Sequence, residues 1–102
     1  MKRFDVVFRP EARSDHRSIY FWIADRSSDA TALRFIDMIE DSCSRLSRFP
    51  ERGTRRDDIA PGLRIFGINR RVTIAFRVDD ATVTILHVLY GGRDLEGVFP
   101  RD

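Results

Sequence analysis

The chain has 102 residues, a formal net charge of +2 at pH 7, 42% hydrophobic residues and 33% charged residues. This length predicts one domain with a single core, and the composition is typical of a folding chain rather than a disordered one. No apolar stretch approaches the roughly 20 residues that span a bilayer, and the start of the chain lacks the apolar run of a signal peptide. With Cys43 as its single cysteine, the chain is expected to be cytoplasmic and without an internal disulfide.

Basic side chains are unevenly distributed along the chain. Residues 45–77 contain nine arginines against three acids, whereas residues 78–102 contain two arginines against five acids. Arginine binds carboxylates and phosphates through two parallel hydrogen bonds and stacks on planar groups. Two interpretations stay open: an ordinary solvated surface with ion pairs, or a site for an acidic partner or a polyanion.

The first half of the chain predicts a strand and two helices. Phe4 to Phe8 alternate as a short strand. Pro10 suits the first position of a helix that runs to about Asp25, and Ser28 is predicted to cap a second helix that ends near Arg48. Their short connection predicts an antiparallel hairpin that must pack on another layer. The expected apolar faces are Ala12, His16, Ile19 and Ile23, widened by Tyr20 and Trp22, in the first helix, and Ala32, Phe35, Ile36, Ile39, Cys43 and Leu46 in the second.

The second half predicts three antiparallel strands. They run from Leu63 to about Ile68, over Val72–Val78 and over Thr82–Tyr90, with Asn69-Arg70 as a tight turn. The middle strand is expected to place Val72, Ile74, Phe76 and Val78 on one face and Arg71, Thr73, Ala75 and Arg77 on the other. The last strand is apolar on both faces, with Val83, Ile85 and Leu89 on one and Leu86, Val88 and Tyr90 on the other, so it is predicted to be central. The expected fold is α+β: a helix hairpin on a small, mainly antiparallel sheet in the order β-α-α-β-β-β, followed by a short C-terminal helical turn.

Few residues suggest metal or cofactor chemistry. The soft ligands His16, His87 and Cys43 have no recognised metal spacing, and Cys43 in an apolar stripe is predicted to be a small core residue. Gly91-Gly92 is not followed by the lysine and helix of a phosphate loop. Neither a metal nor a cofactor is expected.

An acid–base site is conceivable around His87 and Tyr90. Arg64, Arg71 or Arg77 would then stabilise a phosphorane. However, positions 87 and 90 differ by an odd number, so their side chains point to opposite faces of a regular strand unless a bulge intervenes. The favoured interpretation is that His87 is a hydrogen-bonded sheet residue and that Tyr90 closes the sheet edge. Trp22 is expected in the core, and Phe99 is expected to stay exposed on the C-terminal tail as a contact point.

The chain resembles the ParE toxins of the RelE/ParE superfamily. The order of its predicted elements is similar to that family over the whole chain, and four segments carry the similarity in sequence. The similar segments are Phe49-Pro50 through Gly53, Gly62-Leu63-Arg64-Ile65-Phe66, Val72 to Val78 with Arg77, and Val88-Leu89-Tyr90-Gly91-Gly92-Arg93-Asp94. The last is similar to the family's habitual Val-Leu-His-Gly-Ala-Arg-Asp and carries most of the resemblance.

The resemblance implies a growth-inhibiting toxin of a type II toxin–antitoxin pair, held inactive by a small ParD-like antitoxin. Members of the ParE branch poison DNA gyrase, whereas members of the RelE branch are ribosome-dependent mRNA endoribonucleases. For the endoribonuclease alternative, the catalytic candidates are Arg64, Arg77, His87 and Tyr90. The missing catalytic cluster and the Gly-Gly-Arg-Asp ending favour the gyrase branch, without sequence-specific nucleic-acid binding and without membrane association.

A docking surface for the antitoxin is expected on the sheet. The helix hairpin covers one face, and the other face, with Arg71 and Arg77, has no obvious cover. An acidic antitoxin tail that folds on binding could lie across it. The expected antitoxin or target contacts are Arg64, Arg71, Arg77, Tyr90, Arg93 and Phe99.

Overall fold

Two helices lie on one face of a five-stranded mixed sheet in the computed structural model, which describes residues 3–91 and 95–99. In chain order the elements are β1 (Asp5–Phe8), α1 (Pro10–Arg26), α2 (Asp29–Ser44), β2 (Thr54–Arg55), β3 (Leu63–Ile68), β4 (Val72–Val78) and β5 (Thr82–Tyr90), with 3₁₀ turns at Arg45–Ser47 and Glu96–Val98. The strand order is β1-β5-β4-β3-β2, with β1 parallel to β5 and the other pairs antiparallel. The predicted α+β fold is confirmed, and β2 is an added strand that the sequence did not indicate.

The residues predicted to start the two helices and to form the hairpin turn have those roles in the structure. Pro10 is at the first position of α1, and the Ser28 hydroxyl accepts a hydrogen bond from the Thr31 amide at 3.1 Å. Asn69 and Arg70 have φ angles of 51° and 60°. These left-handed values fit the tight turn that joins β3 to β4, because two-residue hairpin turns match the twist of the strands in that conformation.

The main core lies between the helices and the face of the sheet that they cover, which we call the helix face. Fully buried side chains from every layer meet there, including Ile39 and Cys43 of α2 and Phe76 of β4. Burial raises the pKa of the Cys43 thiol to about 12. Cys43 is therefore a protonated core residue at physiological pH, as predicted, and not a nucleophile.

A β-bulge changes which residues of β5 face the helices. Ile85 lies opposite Phe76 and His87 lies opposite Ala75, so Leu86 is the extra residue of the bulge. The prediction that Val88 shares a face with Leu86 is therefore wrong. Val83, Ile85 and Val88 belong to the main core, with Tyr90 packed against it, whereas Leu86 belongs to a cluster on the opposite face.

That opposite face, which we call the second face, is partly covered by the chain itself, whereas the hypothesis of an antitoxin docking surface there assumed no obvious cover. Leu63, Ala75 and Leu86 are buried there together with Ile59, which comes from the loop between β2 and β3. Ala60, Ile65, Leu95 and Phe99 pack around this cluster. The chain supplies this cover because the loop folds back: Asp57 accepts a 2.8 Å hydrogen bond from the Gly62 amide, which lowers the pKa of that carboxyl. Phe99 is accordingly half-buried rather than exposed.

No helix within residues 3–91 and 95–99 combines the length and the apolar composition needed to cross a membrane.

Candidate functional site

The four residues predicted for acid–base catalysis are divided between the two faces of the sheet. Arg64 lies opposite Phe76, which puts it on the helix face, and Arg77 lies opposite Leu63 on the second face. The bulge at Leu86 precedes both His87 and Tyr90, so their odd spacing still sends the two side chains to opposite sides. The structure therefore brings Arg77 near His87 but keeps Arg64 and Tyr90 apart from them.

Tyr90 is held in an aromatic cluster on the helix face. Its ring centroid lies 5.0 Å from that of Trp22 and 5.5 Å from that of Phe35. Arg26 stacks on the Trp22 ring, with its guanidinium carbon 4.1 Å from the ring centroid. Trp22 is 44% exposed, so its predicted core position is wrong. Its partly exposed ring lies at the surface, beside the buried stripe formed by Ile19 and Ile23.

A buried carboxylate holds His87 in place. Asp15 of α1 is 8% exposed, and its Oδ2 lies 3.0 Å from His87 Nδ1 and accepts a 2.9 Å hydrogen bond from the Val88 amide. Nδ1 is therefore the ring nitrogen that faces this carboxylate. The Asp15 contact thus fixes the ring and leaves Nε2 on its far side. His87 is the satisfied sheet residue that the sequence favoured.

A small pocket opens beside His87 on the second face. We call it the arginine–histidine pocket. Its described lining consists of Arg9, Glu11, Arg77, Leu86, His87, Val98 and Phe99, and its volume is about 200 Å³. The Phe99 ring stands edge-on to the His87 ring at 5.5 Å between centroids. Three of the predicted site residues, Arg77, His87 and Phe99, therefore share one cavity.

A larger and more apolar opening lies where the end of α2 meets the end of the sheet. We call it the Phe49 groove. Its described lining consists of Phe4, Arg48, Phe49, Pro50, Glu51, Arg52 and Val78, and its volume is about 650 Å³. Phe49 is 62% exposed there. This groove combines an exposed aromatic ring with arginines at its rim.

Arg64 shapes the edge of the Phe49 groove. Its Nη2 donates to the Glu51 carbonyl at 2.6 Å, and its Nε donates to the Arg52 carbonyl at 3.3 Å. A smaller cavity lined by Arg64 shares Glu51 and Val78 with the groove, so the two lie next to each other. The guanidinium of Arg64 therefore fixes the backbone next to Phe49.

Two further residues predicted as antitoxin or target contacts, Arg71 and Arg93, are not among the described lining residues of the arginine–histidine pocket or the Phe49 groove. Arg71 is exposed just before β4, and its carbonyl accepts a 2.8 Å hydrogen bond from the Gly91 amide. Arg93 lies outside the described residues. Within residues 3–91 and 95–99, no three His, Cys, Asp or Glu side chains are grouped as metal ligands.

Sequence reasoning missed three residues that matter for these sites. Asp15 follows Ala12 by three positions and precedes Ile19 by four, so it interrupts the apolar stripe of α1. An acid in such a stripe is a usable signal for a buried partner. Arg9 and Phe49 carried no comparable signal, because their importance depends on what the fold brings beside them.

Comparison with known proteins identifies the family. The model of the family described as "ParE toxin of type II toxin-antitoxin system, parDE" matches residues 6–95. The chain belongs to the ParE toxin family. The family is that of toxins of type II toxin–antitoxin systems, and the resemblance carried by the sequence segments is confirmed.

Individual relatives agree with this assignment. The chain is 37% identical over 60 residues to Toxin ParE3 of Caulobacter vibrioides, and the match covers 59% of each protein. Its fold matches a chain of a chromosomal ParDE system from P. aeruginosa with a TM-score of 0.77 at 21% identity, covering 87% of this chain and 97% of the other. It also matches a chain of the toxin–antitoxin complex RelBE2 from Mycobacterium tuberculosis with a TM-score of 0.67 at 23% identity, covering 91% and 97%. At these identities the structural matches establish the shared fold.

Proposed function

We propose that this ParE-family chain inhibits bacterial growth by poisoning DNA gyrase and is neutralised by a ParD-like antitoxin. The family match over residues 6–95 carries the proposal. The geometry supports a binding toxin rather than an endoribonuclease, because Arg64 and Tyr90 lie on the other side of the sheet from Arg77 and His87. Both proposed partners would place the protein in the cytoplasm.

The gyrase proposal is tested by adding the purified, folded chain to a DNA supercoiling reaction. We expect less supercoiling and gyrase-dependent DNA cleavage, because a toxin that poisons the enzyme traps its cleaved complex. The matched control is the same chain premixed with its antitoxin, which should restore supercoiling. Unchanged supercoiling by folded toxin, with no cleavage, would contradict a gyrase target.

One observation favours an endoribonuclease as the second candidate. His87, held by Asp15, shares a pocket with Arg77, and these groups could move a proton and bind a phosphate during RNA cleavage. Mapping of transcript ends after induced expression separates the two functions. Codon-phased cuts that disappear in Arg77→Ala would favour the endoribonuclease, and intact transcripts during growth arrest would favour gyrase.

The Phe49 groove suits an antitoxin segment with apolar side chains flanked by acids. Phe4, Phe49 and Val78 offer apolar surface, and Arg48 and Arg52 at the rim can pair with carboxylates. Aromatic and arginine side chains of this kind dominate the energy of protein interfaces. Complementary charge then adds specificity and a fast association rate. Among the predicted antitoxin contacts, Arg64 borders this groove and remains part of the proposal.

Replacing Phe49 with aspartate should weaken antitoxin binding while leaving the fold intact. Loss of an aromatic anchor costs at least about 2 kcal/mol, which corresponds to a roughly 30-fold higher Kd. Titration calorimetry with the antitoxin measures this change. Phe21→Asp is the matched control, because Phe21 is 67% exposed on α1, away from the groove, against 62% for Phe49. Equal losses in the two variants, or no loss in either, would refute the groove as the antitoxin site.

A further inference from the structure

We propose that the arginine–histidine pocket binds a small tetrahedral oxyanion of the phosphate type. The pocket gathers the side chains of Arg9, Arg77 and His87 around a volume of about 200 Å³. Pockets for drug-sized ligands are larger, at about 300–1,000 Å³, so this one suits a compact anion. The inference does not depend on the gyrase proposal, because it concerns the isolated chain and a different surface from the Phe49 groove.

Arg9 and Arg77 have guanidinium N–H groups that form no strong salt bridge within the described part of the chain. Arg77 is exposed and makes no salt bridge within residues 3–91 and 95–99. Arg9 faces one carboxylate, that of Glu11, with its Nε 3.7 Å from Oε1 and both side chains about half exposed. Such exposed pairs are weak. Both guanidinium groups can therefore offer paired N–H donors to a phosphate, whose geometry matches their planar fork.

His87 lines the pocket with a ring that is held in place. Its Nδ1 is directed at Asp15 Oδ2, 3.0 Å away, and Asp15 is itself anchored on the Val88 amide. The other ring nitrogen, Nε2, lies on the side away from Asp15, where it can donate to a phosphate oxygen or accept from a phosphate O–H, according to the ring tautomer. A ring fixed at one nitrogen presents the other without further loss of rotamer freedom. Asp15 is thus a positioning residue for this pocket.

The backbone adds to the positive potential at this place. Arg9 is the N-cap residue of α1, a 17-residue helix, and makes no side-chain capping bond, and Glu11 lies in the first turn. The positive end of the helix dipole favours an anion there. Glu11 opposes this effect, since its carboxylate lines the same pocket, 3.7 Å from Arg9 Nε, and would repel a bound anion. Removal of the Glu11 charge should therefore strengthen binding.

The test is titration of the purified full chain with sodium phosphate at constant ionic strength, followed by NMR shifts of the His87 ring and by calorimetry. We expect saturable phosphate binding that weakens at least about tenfold in Arg77→Ala, because a charge-assisted pair of hydrogen bonds is lost. Arg71→Ala, which removes an exposed arginine outside the pocket, should change the Kd less than twofold. Glu11→Gln should lower the Kd about threefold or more.

A second arm uses methyl phosphate to identify the source of the anion. Tighter binding of methyl phosphate than of inorganic phosphate would assign the pocket to a phosphate group on a larger molecule, and the reverse order would assign it to free phosphate. Either order supports the proposal. It is overturned if neither ligand binds, if Arg77→Ala binds like the unmodified chain, or if Arg71→Ala loses as much affinity as Arg77→Ala.

Discussion

Replacing Leu86 with aspartate is expected to unfold the domain. Leu86 is the bulge residue of β5, is 5% exposed, and packs with Leu63 and Ala75 on the second face. Aspartate at this position loses the apolar packing against Leu63 and Ala75 and buries a carboxylate. Arg9 and Arg77, which line a pocket with Leu86, can compensate only part of that cost because both are exposed to solvent. An uncompensated buried charge costs about 3–5 kcal/mol, a large share of the roughly 5–15 kcal/mol by which small domains are stable.

Chemical denaturation followed by circular dichroism measures this effect. Leu33→Asp is the matched control, since the same substitution is made at a leucine that is 53% exposed on α2. We expect the control to change the free energy of unfolding by less than about 0.5 kcal/mol, as surface substitutions usually do. A Leu86→Asp variant that unfolds at the same denaturant concentration as the control would show that the second-face cluster does not contribute to stability.

Replacing Gly53 with alanine should have the next largest effect. Gly53 has a φ of +83°, and a Cβ at this position would overlap the carbonyl oxygen of Ile65 and lie 3.0 Å from the Cβ of Phe66. The left-handed conformation costs a residue with a side chain about 1–2 kcal/mol. Displacement of the packed backbone adds about 1–3 kcal/mol. The added strain falls on the pairing of β2 with β3, next to the Phe49 groove.

Gly91→Ala separates these two costs. Gly91 also has a positive φ, +70°, but a Cβ there would meet no described atom within 4 Å. The control should therefore lose only the conformational part, about 1–2 kcal/mol. The difference in unfolding free energy between the two variants measures the steric part. Equal losses of unfolding free energy in the two variants would mean that β3 moves away from the added methyl group without a measurable loss of stability.

Much of the fold could be predicted because its signals are local. Pro10 and Ser28 marked the starts of the helices, and Asn69-Arg70 marked the hairpin turn, since each residue type favours its backbone conformation on its own. The alternation of Val72–Val78 likewise identified the strand whose even-numbered side chains face the helices. The family assignment followed from the same segments read in order.

The failures arose where tertiary contacts decide the outcome. The bulge at Leu86 depends on how β5 pairs with β4, and one extra residue exchanges the faces of everything after it. The strand Thr54–Arg55 is polar and exposed, so no apolar alternation indicated it. The cover of the second face comes from Ile59 in a loop, and sequence alone does not show where a loop folds back.

The pairing of β1 with β5 has a consequence for how the toxin is made. The strand at the beginning of the chain has its sheet neighbour near the end, and α1 also packs on that last strand. A polypeptide emerging from the ribosome therefore cannot close its main core before residues 82–90 have been synthesised, and contacts so distant in sequence form slowly. Until then the apolar faces of both helices stay exposed, which makes the nascent chain prone to aggregation.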